Sequence, residues 1–213
     1  MAFANRNEAA DRLAGALAAY RGRHPLILAI PRGAVPMGQR LAKALDGELD
    51  VVLVRKLRAP FNPEFALGSI DESGWTYIAD YAESAGGTSA YLAQEKQAQL
   101  DTIKKRRSQY TPLRPPIDPA GRIVIVVDDG LATGATMISA LHALRARKPA
   151  RLICAVPVAP PDTLEKIRGY ADEVVCLEAP VFFRAVGQFY ADFPQVDDED
   201  VIEILRQAGQ AKA

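Results

Sequence analysis

Short apolar runs alternate with amphipathic segments along most of the chain. An apolar run without polar interruptions is typical of a strand buried on both faces of a sheet, whereas apolar residues at helical spacing predict a helix that packs on it. The predicted strands are 26–30, 49–54, 122–127, 151–158 and 173–178. The predicted helices are 7–21, 34–45, 134–147, 160–171 and a final helix that follows the acidic run 197–200. Because strands that alternate with helices of this length form right-handed crossovers, we predict an α/β fold with a doubly wound, mainly parallel sheet flanked by helices.

The middle of the chain interrupts this alternation. Residues 58–65 contain two prolines and an asparagine, which favour a loop. Two segments, 64–70 and 75–80, flank the turn-like sequence DESG and predict a β-hairpin. A long polar helix is predicted over 88–107, where it ends in KKRR, and the proline-rich connector 111–121 is incompatible with regular structure.

Composition limits the class of protein. Of the 213 residues, 49% are hydrophobic and 24% are charged, the balance of a globular chain long enough for one domain with a substantial core. Lys and Arg number 26, as do Asp and Glu, so net charge gives no reason to expect a polyanionic partner. No apolar run approaches the ~20 residues that span a bilayer, and the first residues lack the order of a secretion signal. Cys154 and Cys176 lie in apolar runs, which predicts buried reduced thiols and a cytoplasmic protein with no membrane partner.

Residues 123–137, IVIVVDDGLATGATM, place two adjacent aspartates before a loop made mostly of small side chains. Asp128 and Asp129 follow the apolar run at the predicted carboxyl end of a strand, the edge at which open parallel sheets bind ligands. Two carboxylates there repel each other and lose hydration, which is unfavourable unless hydroxyls or a cation occupy the site. The loop has little side-chain bulk, so its N–H groups can surround an anion, helped by the hydroxyls of Thr133 and Thr136 and the positive end of the next helix. A carboxylate pair beside an anion cradle suits a phosphorylated sugar.

Two other phosphate-binding loops do not fit this segment. A Walker A loop requires a lysine after its last glycine, and here Ala135 follows Gly134. The G-x-G-x-x-G of a dinucleotide site is absent as well. Instead, VVDDGLATGAT (126–136) resembles the motif with which type I phosphoribosyltransferases bind phosphoribosyl diphosphate (PRPP). Gly130 stands where that family more commonly has an aliphatic residue, and we expect this to loosen the loop.

The resemblance implies roles for the residues of this motif. Asp128 and Asp129 are expected to be catalytic, because they would hold the ribose hydroxyls and, mostly through bound substrate and water, a Mg²⁺ cofactor. The residues expected to bind the 5-phosphate are Gly130, Leu131, Ala132, Thr133, Gly134, Ala135 and Thr136. The stretches PRGAVP (31–36) and NPEFALGSI (62–70) resemble those of one bacterial group of phosphoribosyltransferase-like proteins.

Basic residues after the first two predicted strands are the expected pyrophosphate contacts. In the family, the loop after the first core strand receives the pyrophosphate, and Arg32 and Gly33 stand at that place. Gly33 would permit an unusual backbone, such as a strained or cis peptide. Arg55 and Lys56 correspond to a catalytic basic pair, and a mobile loop beyond them is expected to close over the site, within an insertion of loop, hairpin and helix over 57–110. The plainer alternatives are a strand–helix turn with a solvated arginine and two solvated basic residues at a strand edge.

The segment FFRAVGQFYADF (182–193) resembles the hood that covers the acceptor in purine-type members of the family. In those members an aromatic residue stacks on the base, near a Val-Gly pair and a later Asp. The corresponding candidates are Phe183, Val186, Gly187 and Asp192. The spacing from Val186 to Asp192 is one residue longer than in the hypoxanthine–guanine pattern, which leaves the acceptor open. Simple filling of the core is an alternative reading of these aromatic residues.

These segments predict a single domain, 1–213, with a hood over 179–196, that transfers the 5-phosphoribosyl group of PRPP to a nitrogen acceptor of nucleobase type and releases pyrophosphate. The expected partners are PRPP and a nucleobase-like small molecule, without membrane or nucleic acid, and the family often forms homodimers. A regulator that senses PRPP without turnover would have the same site and could use KKRR (104–107) to contact nucleic acid or a protein. A phosphosugar hydrolase or phosphorylase is the third alternative.

Overall fold

The computed structural model of the protein describes residues 2–210, with Glu64 described by its backbone alone. The strands are β1 (Leu26–Ala29), β2 (Glu48–Val51), β3 (Val54–Ala59), β4 (Asn62–Asp71), β5 (Thr76–Ile78), β6 (Ile123–Val127), β7 (Arg151–Val158) and β8 (Glu173–Glu178). The helices are α1 (Arg6–Ala16), α2 (Val35–Leu45), α3 (Ser89–Tyr110), α4 (Ala135–Ala146), α5 (Pro161–Ile167) and α6 (Asp198–Gln210).

The main sheet is parallel throughout the described residues, with the strand order β2–β1–β6–β7–β8. Alternate residues of a strand enter different cores because side chains along a strand point to opposite faces. In β1, Ile27 and Ala29 pack with residues of α1 and α2, whereas Leu26 and Leu28 pack with residues of α4 and α5. Helices therefore cover both faces, and the predicted doubly wound α/β fold is confirmed.

A second, antiparallel sheet is formed by β3, β4 and β5 in that order. The predicted hairpin around DESG corresponds to β4 and β5. The single strand predicted over 49–54 is wrong, because β2 ends at Val51 and Val54 already begins β3 in the second sheet. A continuous apolar run cannot reveal where a chain leaves one sheet for another.

The loop predicted over 58–65 is also wrong. These residues contain the end of β3, the tight turn that follows it and the start of β4. Pro63 is compatible with a strand here because the pairing register shifts near Arg58 and Ala59, which leaves residues 63–65 outside the regular ladder.

The remaining elements follow the sequence pattern closely. Helix α3 covers the predicted polar helix and continues to Tyr110, and residues 111–121 contain no helix or strand, as predicted. Both cysteines are free thiols, with Cys154 buried and Cys176 half-buried. Across the described residues, no helix combines the length and the apolar character needed to cross a bilayer. The limits of the insertion, 57–110, and of the hood, 179–196, stay predictions.

Candidate active site

A cavity of about 660 Å³ lies at the carboxyl edge of the main sheet, a volume in the usual range for small-molecule sites. Its lining includes three walls: the carboxylate loop (128–136, of which Ala135 lies outside the lining), the basic wall (32–33, Arg55, Lys56, Arg58 and Pro63) and the hood wall (184–187 and Phe193). The predicted site residues that line it are Arg32, Gly33, Arg55, Lys56, Asp128, Asp129, Gly130, Leu131, Ala132, Thr133, Gly134, Thr136, Val186 and Gly187. Ala135, Phe183 and Asp192 are not among the lining residues.

Two carboxylates stand at the end of β6. The Oδ1 atom of Asp128 accepts a hydrogen bond from the N–H of Asp129 at 2.9 Å. The Oδ2 atom of Asp129 accepts from Arg6 Nε at 2.9 Å and lies 2.8 Å from Arg6 Nη2, and this ion pair is largely buried. Burial and then the neighbouring Asp129 raise the pKa of Asp128 well above its ordinary value. Burial also raises the pKa of Asp129, although Arg6 acts in the opposite direction. Such a pair favours a ligand that brings hydroxyl donors or positive charge.

The rest of the carboxylate loop is held from below by β7 and α5. The Leu131 N–H donates to the Val158 carbonyl at 2.9 Å, and the Thr163 hydroxyl donates to the Ala132 carbonyl at 2.7 Å. Gly134 precedes α4 with φ of 76°, the left-handed region that favours glycine. Five N–H groups of the loop donate to no described residue, those of Gly130, Ala132, Thr133, Gly134 and Thr136. Unpaired N–H groups at the start of a 12-residue helix provide the anion cradle that the sequence predicts.

Two glycines allow close contacts around the carboxylates. A Cβ on Gly33 would lie 2.2 Å from Asp129 Oδ2, so no larger residue fits while this carboxylate keeps its position. A Cβ on Gly130 would lie 2.6 Å from Val186 Cγ1. The space that an aliphatic side chain would occupy after the acids is therefore filled from the hood by Val186. The Pro31–Arg32 peptide bond is cis, next to the position where the sequence suggests an unusual backbone.

The basic wall is assembled differently from the sequence prediction. Arg55 and Lys56 lie within β3 of the second sheet, and not directly beyond a strand of the main sheet. They nevertheless line the same cavity as Asp128 and Asp129, because β3 continues the chain from the carboxyl end of β2. Arg58, two residues further along β3, lines it as well.

Arg32, Arg55 and Lys56 of this wall are only weakly neutralised, whereas Arg58 pairs with Glu95 at 3.1 Å. Arg55 Nε donates to the neutral Gln99 Oε1 at 2.8 Å, and burial followed by three neighbouring arginines lowers the pKa of Arg55. Arg32 lies 3.5 Å from Asp198, and Lys56 is exposed and has no partner among the side chains that the structure describes. Positive charge that is buried or unpaired in this way favours an anionic ligand.

The hood presents part of the predicted set to the cavity, because Val186 and Gly187 line it and Phe183 and Asp192 do not. Phe183 packs on Phe189, with ring centroids 5.0 Å apart, and joins the core. Asp192 is exposed, and its N–H donates to the Ala4 carbonyl. Arg184, the neighbour of Phe183, lines the cavity instead. The sequence pattern names the right segment but not the face that each of its residues presents.

The N-terminal segment takes part in the site, which the sequence reasoning missed. Arg6 connects Asp129 to the hood, because its Nη1 donates to the Pro194 carbonyl at 2.6 Å and its guanidinium lies 3.7 Å from the centre of the Phe193 ring. The Tyr190 hydroxyl donates to the Asp129 carbonyl at 2.6 Å. No local signal marks Arg6, since 123 positions separate it from Asp129.

Metal-ligating groups are sparse in this cavity. Across the part of the chain that is described, no group of three or more His, Cys, Asp or Glu is arranged to hold a metal ion. Among the described lining residues, the carboxylates are Asp128 and Asp129. A divalent cation here would therefore need most of its ligands from bound substrate and water.

An open parallel sheet with an anion-binding loop and acids at one strand end is typical of α/β proteins that bind phosphorylated ligands. The family model described as phosphoribosyl transferase domain matches residues 3–194, nearly the whole chain. The chain therefore belongs to the phosphoribosyltransferase family, and the predicted membership is confirmed.

Known proteins and structures extend this assignment. The chain is 40% identical over 209 residues to a Mycobacterium tuberculosis H37Rv protein named "Putative phosphoribosyl transferase Rv0571c", a match that covers 97% of this chain and 47% of the relative. The chain thus spans about half the length of the curated relatives it matches. The crystal structure of TT1426 from Thermus thermophilus is 45% identical, covers 97% of this chain and 99% of that one, and superposes with a TM-score of 0.80.

Proposed function

We propose that this protein transfers the 5-phosphoribosyl group of PRPP to a nitrogen acceptor of nucleobase type and releases pyrophosphate. One observation carries the proposal. The carboxylate pair, an anion cradle with unpaired N–H groups and a wall of cations share a single cavity of about 660 Å³. PRPP has the complementary groups, since it joins a ribose with two free hydroxyls to a phosphate and a diphosphate.

The carboxylate loop is assigned to the phosphoribosyl group. Asp128 and Asp129 would accept hydrogen bonds from the ribose 2- and 3-hydroxyls and offset positive charge that develops on the ring. The N–H groups of Ala132, Thr133 and Gly134, with the hydroxyl of Thr136, would hold the 5-phosphate. The N–H groups assigned to the 5-phosphate have no acceptor among the described residues, whereas Asp129 would share its carboxylate between the ribose and Arg6.

The basic wall is assigned to the diphosphate. As the bond from C1 of the ribose to the pyrophosphate oxygen breaks, its electron pair leaves with the pyrophosphate, and the acceptor nitrogen forms the new bond to C1 with its lone pair. A proton on that nitrogen would pass to water or to the departing pyrophosphate. Arg32, Arg55 and Lys56 would stabilise the charge that accumulates on the leaving group, and loss of one such contact costs about 2–4 kcal/mol of barrier, or ~30- to 1000-fold in rate.

Magnesium fits this site as a cofactor carried mainly by the substrate. Asp128 and Asp129 are the protein ligands available in the described lining, and a dication would relieve the repulsion between them. A Mg²⁺ held there would screen the charge of the leaving group.

The alternative of a regulator that contacts nucleic acid through KKRR (104–107) gains no support from the local contacts. Arg106 lies 3.4 Å from Asp198, and Arg107 forms a two-contact ion pair with Glu72 at 2.7 Å. Both arginine side chains are largely buried, so half of this basic run is engaged within the fold.

Isothermal titration with PRPP tests the proposal. The wild-type protein should bind PRPP in the presence of Mg²⁺ and lose most of this affinity when EDTA is added. The Asp128→Asn/Asp129→Asn variant should bind at least ~30-fold more weakly, because charge-assisted hydrogen bonds to two ribose hydroxyls are lost.

Asp101→Asn is a suitable control, since Asp101 lies on α3, is exposed and contacts only Gln97 among the described side chains. It should leave PRPP affinity unchanged. Equal affinity in the wild type and the double variant would contradict the assigned roles. Pyrophosphate release that depends on an added nitrogen heterocycle separates a transferase from a PRPP sensor.

A further inference from the structure

The hood wall contains one polar side chain that the proposed reaction does not use. Of the residues that form this wall, Ala185, Val186 and Phe193 are apolar and Gly187 has no side chain, whereas Arg184 carries a charge. The Arg184 guanidinium is exposed and makes no ion pair or hydrogen bond with the side chains that the structure describes. Its charge is therefore available to a ligand.

The other cations of the cavity differ from Arg184 in position or in partner. Arg32 is near Asp198, Arg58 pairs with Glu95 at 3.1 Å, and Arg55 donates to Gln99. All of these, with Lys56, belong to the basic wall assigned to the diphosphate. Arg184 stands apart from them, on the same segment as Val186, which contacts Gly130 directly after the carboxylates. Arg184 therefore lies on the hood wall, to which no group of PRPP is assigned and which is left for the acceptor.

A guanidinium in this position discriminates strongly between acceptors. While the cavity is open, water solvates its charge at little cost. When an acceptor covers it, a neutral molecule would leave the charge desolvated and unpaired, whereas a carboxylate would form a charge-assisted, two-contact hydrogen bond with it. The flat face of the guanidinium also stacks on planar rings.

We infer that the acceptor is a planar nitrogen heterocycle with an anionic substituent, held through that substituent by Arg184. This rests on the proposed transferase function and narrows its substrate class. The described lining residues include no His, Cys, Glu or Tyr side chain that could serve as a base on this wall. Without such a base, the reacting atom should be a ring nitrogen with an available lone pair, which forms the bond to C1 without giving a proton to the protein.

Matched pairs of ligands test the inference. Nicotinate and nicotinamide, or isonicotinate and isonicotinamide, differ in whether the ring carries a carboxylate, and pyrophosphate release is measured with each at saturating Mg²⁺ and PRPP. Within a pair that reacts, the carboxylate should have about 10- to 100-fold higher kcat/KM, the range expected for one hydrogen bond to a charged group. Arg184→Gln should reduce this ratio to near one, and Arg184→Lys should restore part of it.

A pair without a reactive ring nitrogen makes the test independent of the true acceptor. Benzoate should bind the protein loaded with Mg²⁺ and PRPP at least ~10-fold more tightly than benzamide, as measured by titration, and Arg184→Gln should remove the difference. Arg168→Gln is the matched control, because Arg168 is exposed, pairs with Glu165 and does not line the cavity. It should leave the preference intact.

Two results would overturn the inference. One is an equal or stronger response to the neutral member of each pair. The other is a loss of PRPP affinity in Arg184→Gln comparable to that of the carboxylate variants, which would place Arg184 on the donor. Failure of the transferase proposal looks different, because the wild-type protein would then either not bind PRPP or bind it and release no pyrophosphate with any acceptor.

Discussion

Substituting Gly130 by alanine tests whether the hood rests directly on the carboxylate loop. The added Cβ would lie 2.6 Å from Val186 Cγ1, 3.0 Å from Val158 Cγ1 and 3.1 Å from Val186 Cγ2. Real Cβ atoms do not tolerate the shortest of these contacts, so either the hood or the loop must move. Because Val158 belongs to β7, an interior strand of the main sheet, the displacement should fall on Val186 and the hood.

The expected cost follows from overpacking. Forcing an extra methyl group into a filled space typically destabilises a protein by about 1–3 kcal/mol. For a chain of this length, that corresponds to a fall in Tm of roughly 2–10 °C. A second substitution, Val186→Ala, removes both Cγ atoms of the hood that the new methyl group would meet, so the double variant should recover the part of the loss that comes from the hood. The contact with Val158 Cγ1 and the φ of 158° at residue 130 retain the rest. The coupling free energy between the two sites should be about 1–2 kcal/mol and favourable.

Urea denaturation of the wild type, both single variants and the double variant gives this coupling directly. Gly15→Ala is the control, since nothing lies within 4 Å of a Cβ at Gly15 on the exposed side of α1, and alanine should stabilise that helix by about 0.5–1 kcal/mol. The reasoning is refuted if Gly130→Ala changes stability by less than about 0.5 kcal/mol, well below the usual cost of overpacking, or if the effects of Gly130→Ala and Val186→Ala simply add.

Three further predictions concern the charges and hydrogen bonds of the site. Arg6→Met leaves Asp129 buried without its partner and should lower the free energy of unfolding, measured by urea denaturation, by about 3–5 kcal/mol. Adding Asp129→Asn should recover part of this loss, and an unchanged denaturation midpoint in Arg6→Met would contradict the pairing. Tyr190→Phe removes the bond to the Asp129 carbonyl and should cost about 0.5–1.5 kcal/mol in the same assay, so a neutral result would show that this bond contributes nothing. Asp128→Asn should raise the Tm of the ligand-free protein at about pH 7.5. Folding raises the pKa of Asp128, so the wild-type protein loses stability as the pH rises from the pKa of the unfolded state through the pKa of the folded state. The gain should shrink as pH falls toward about 4, the ordinary pKa of an aspartate, and a constant gain across this range would argue against ionisation as its cause.

Local patterns were sufficient to predict the main sheet. Strands β1, β6, β7 and β8 each coincide with a short, mostly apolar run, whereas β2 contains Glu48 and Asp50 and ends before the predicted strand does. The acids with the small-residue loop follow β6 within nine positions, from Asp128 to Thr136. Such a motif depends on neighbours along the chain, so periodicity and loop composition locate it. The same logic located Arg32 and Gly33, which follow closely after β1.

Features that depend on tertiary packing were not predictable in the same way. The hairpin of β3 and β4 resembles a loop in sequence because Pro63 lies where the pairing is irregular. In the hood, two adjacent residues face opposite sides, so Phe183 joins the core while Arg184 lines the cavity. A one-residue difference of this kind is set by the packing of Phe183 on Phe189, and no periodic pattern encodes it.

The link through Arg6 couples parts of the site that look independent in sequence. Its guanidinium pairs with Asp129, donates to the Pro194 carbonyl and lies on the ring of Phe193. Movement of the hood should therefore disturb the charge that faces Asp129, and a ribose hydroxyl bound to Asp129 as proposed would compete with the same guanidinium. Since a buried carboxylate without its cation is strongly destabilised, hood position and carboxylate ionisation must change together. If PRPP binds as proposed, donor binding and the shape of the hood wall should therefore be coupled through Arg6 of α1.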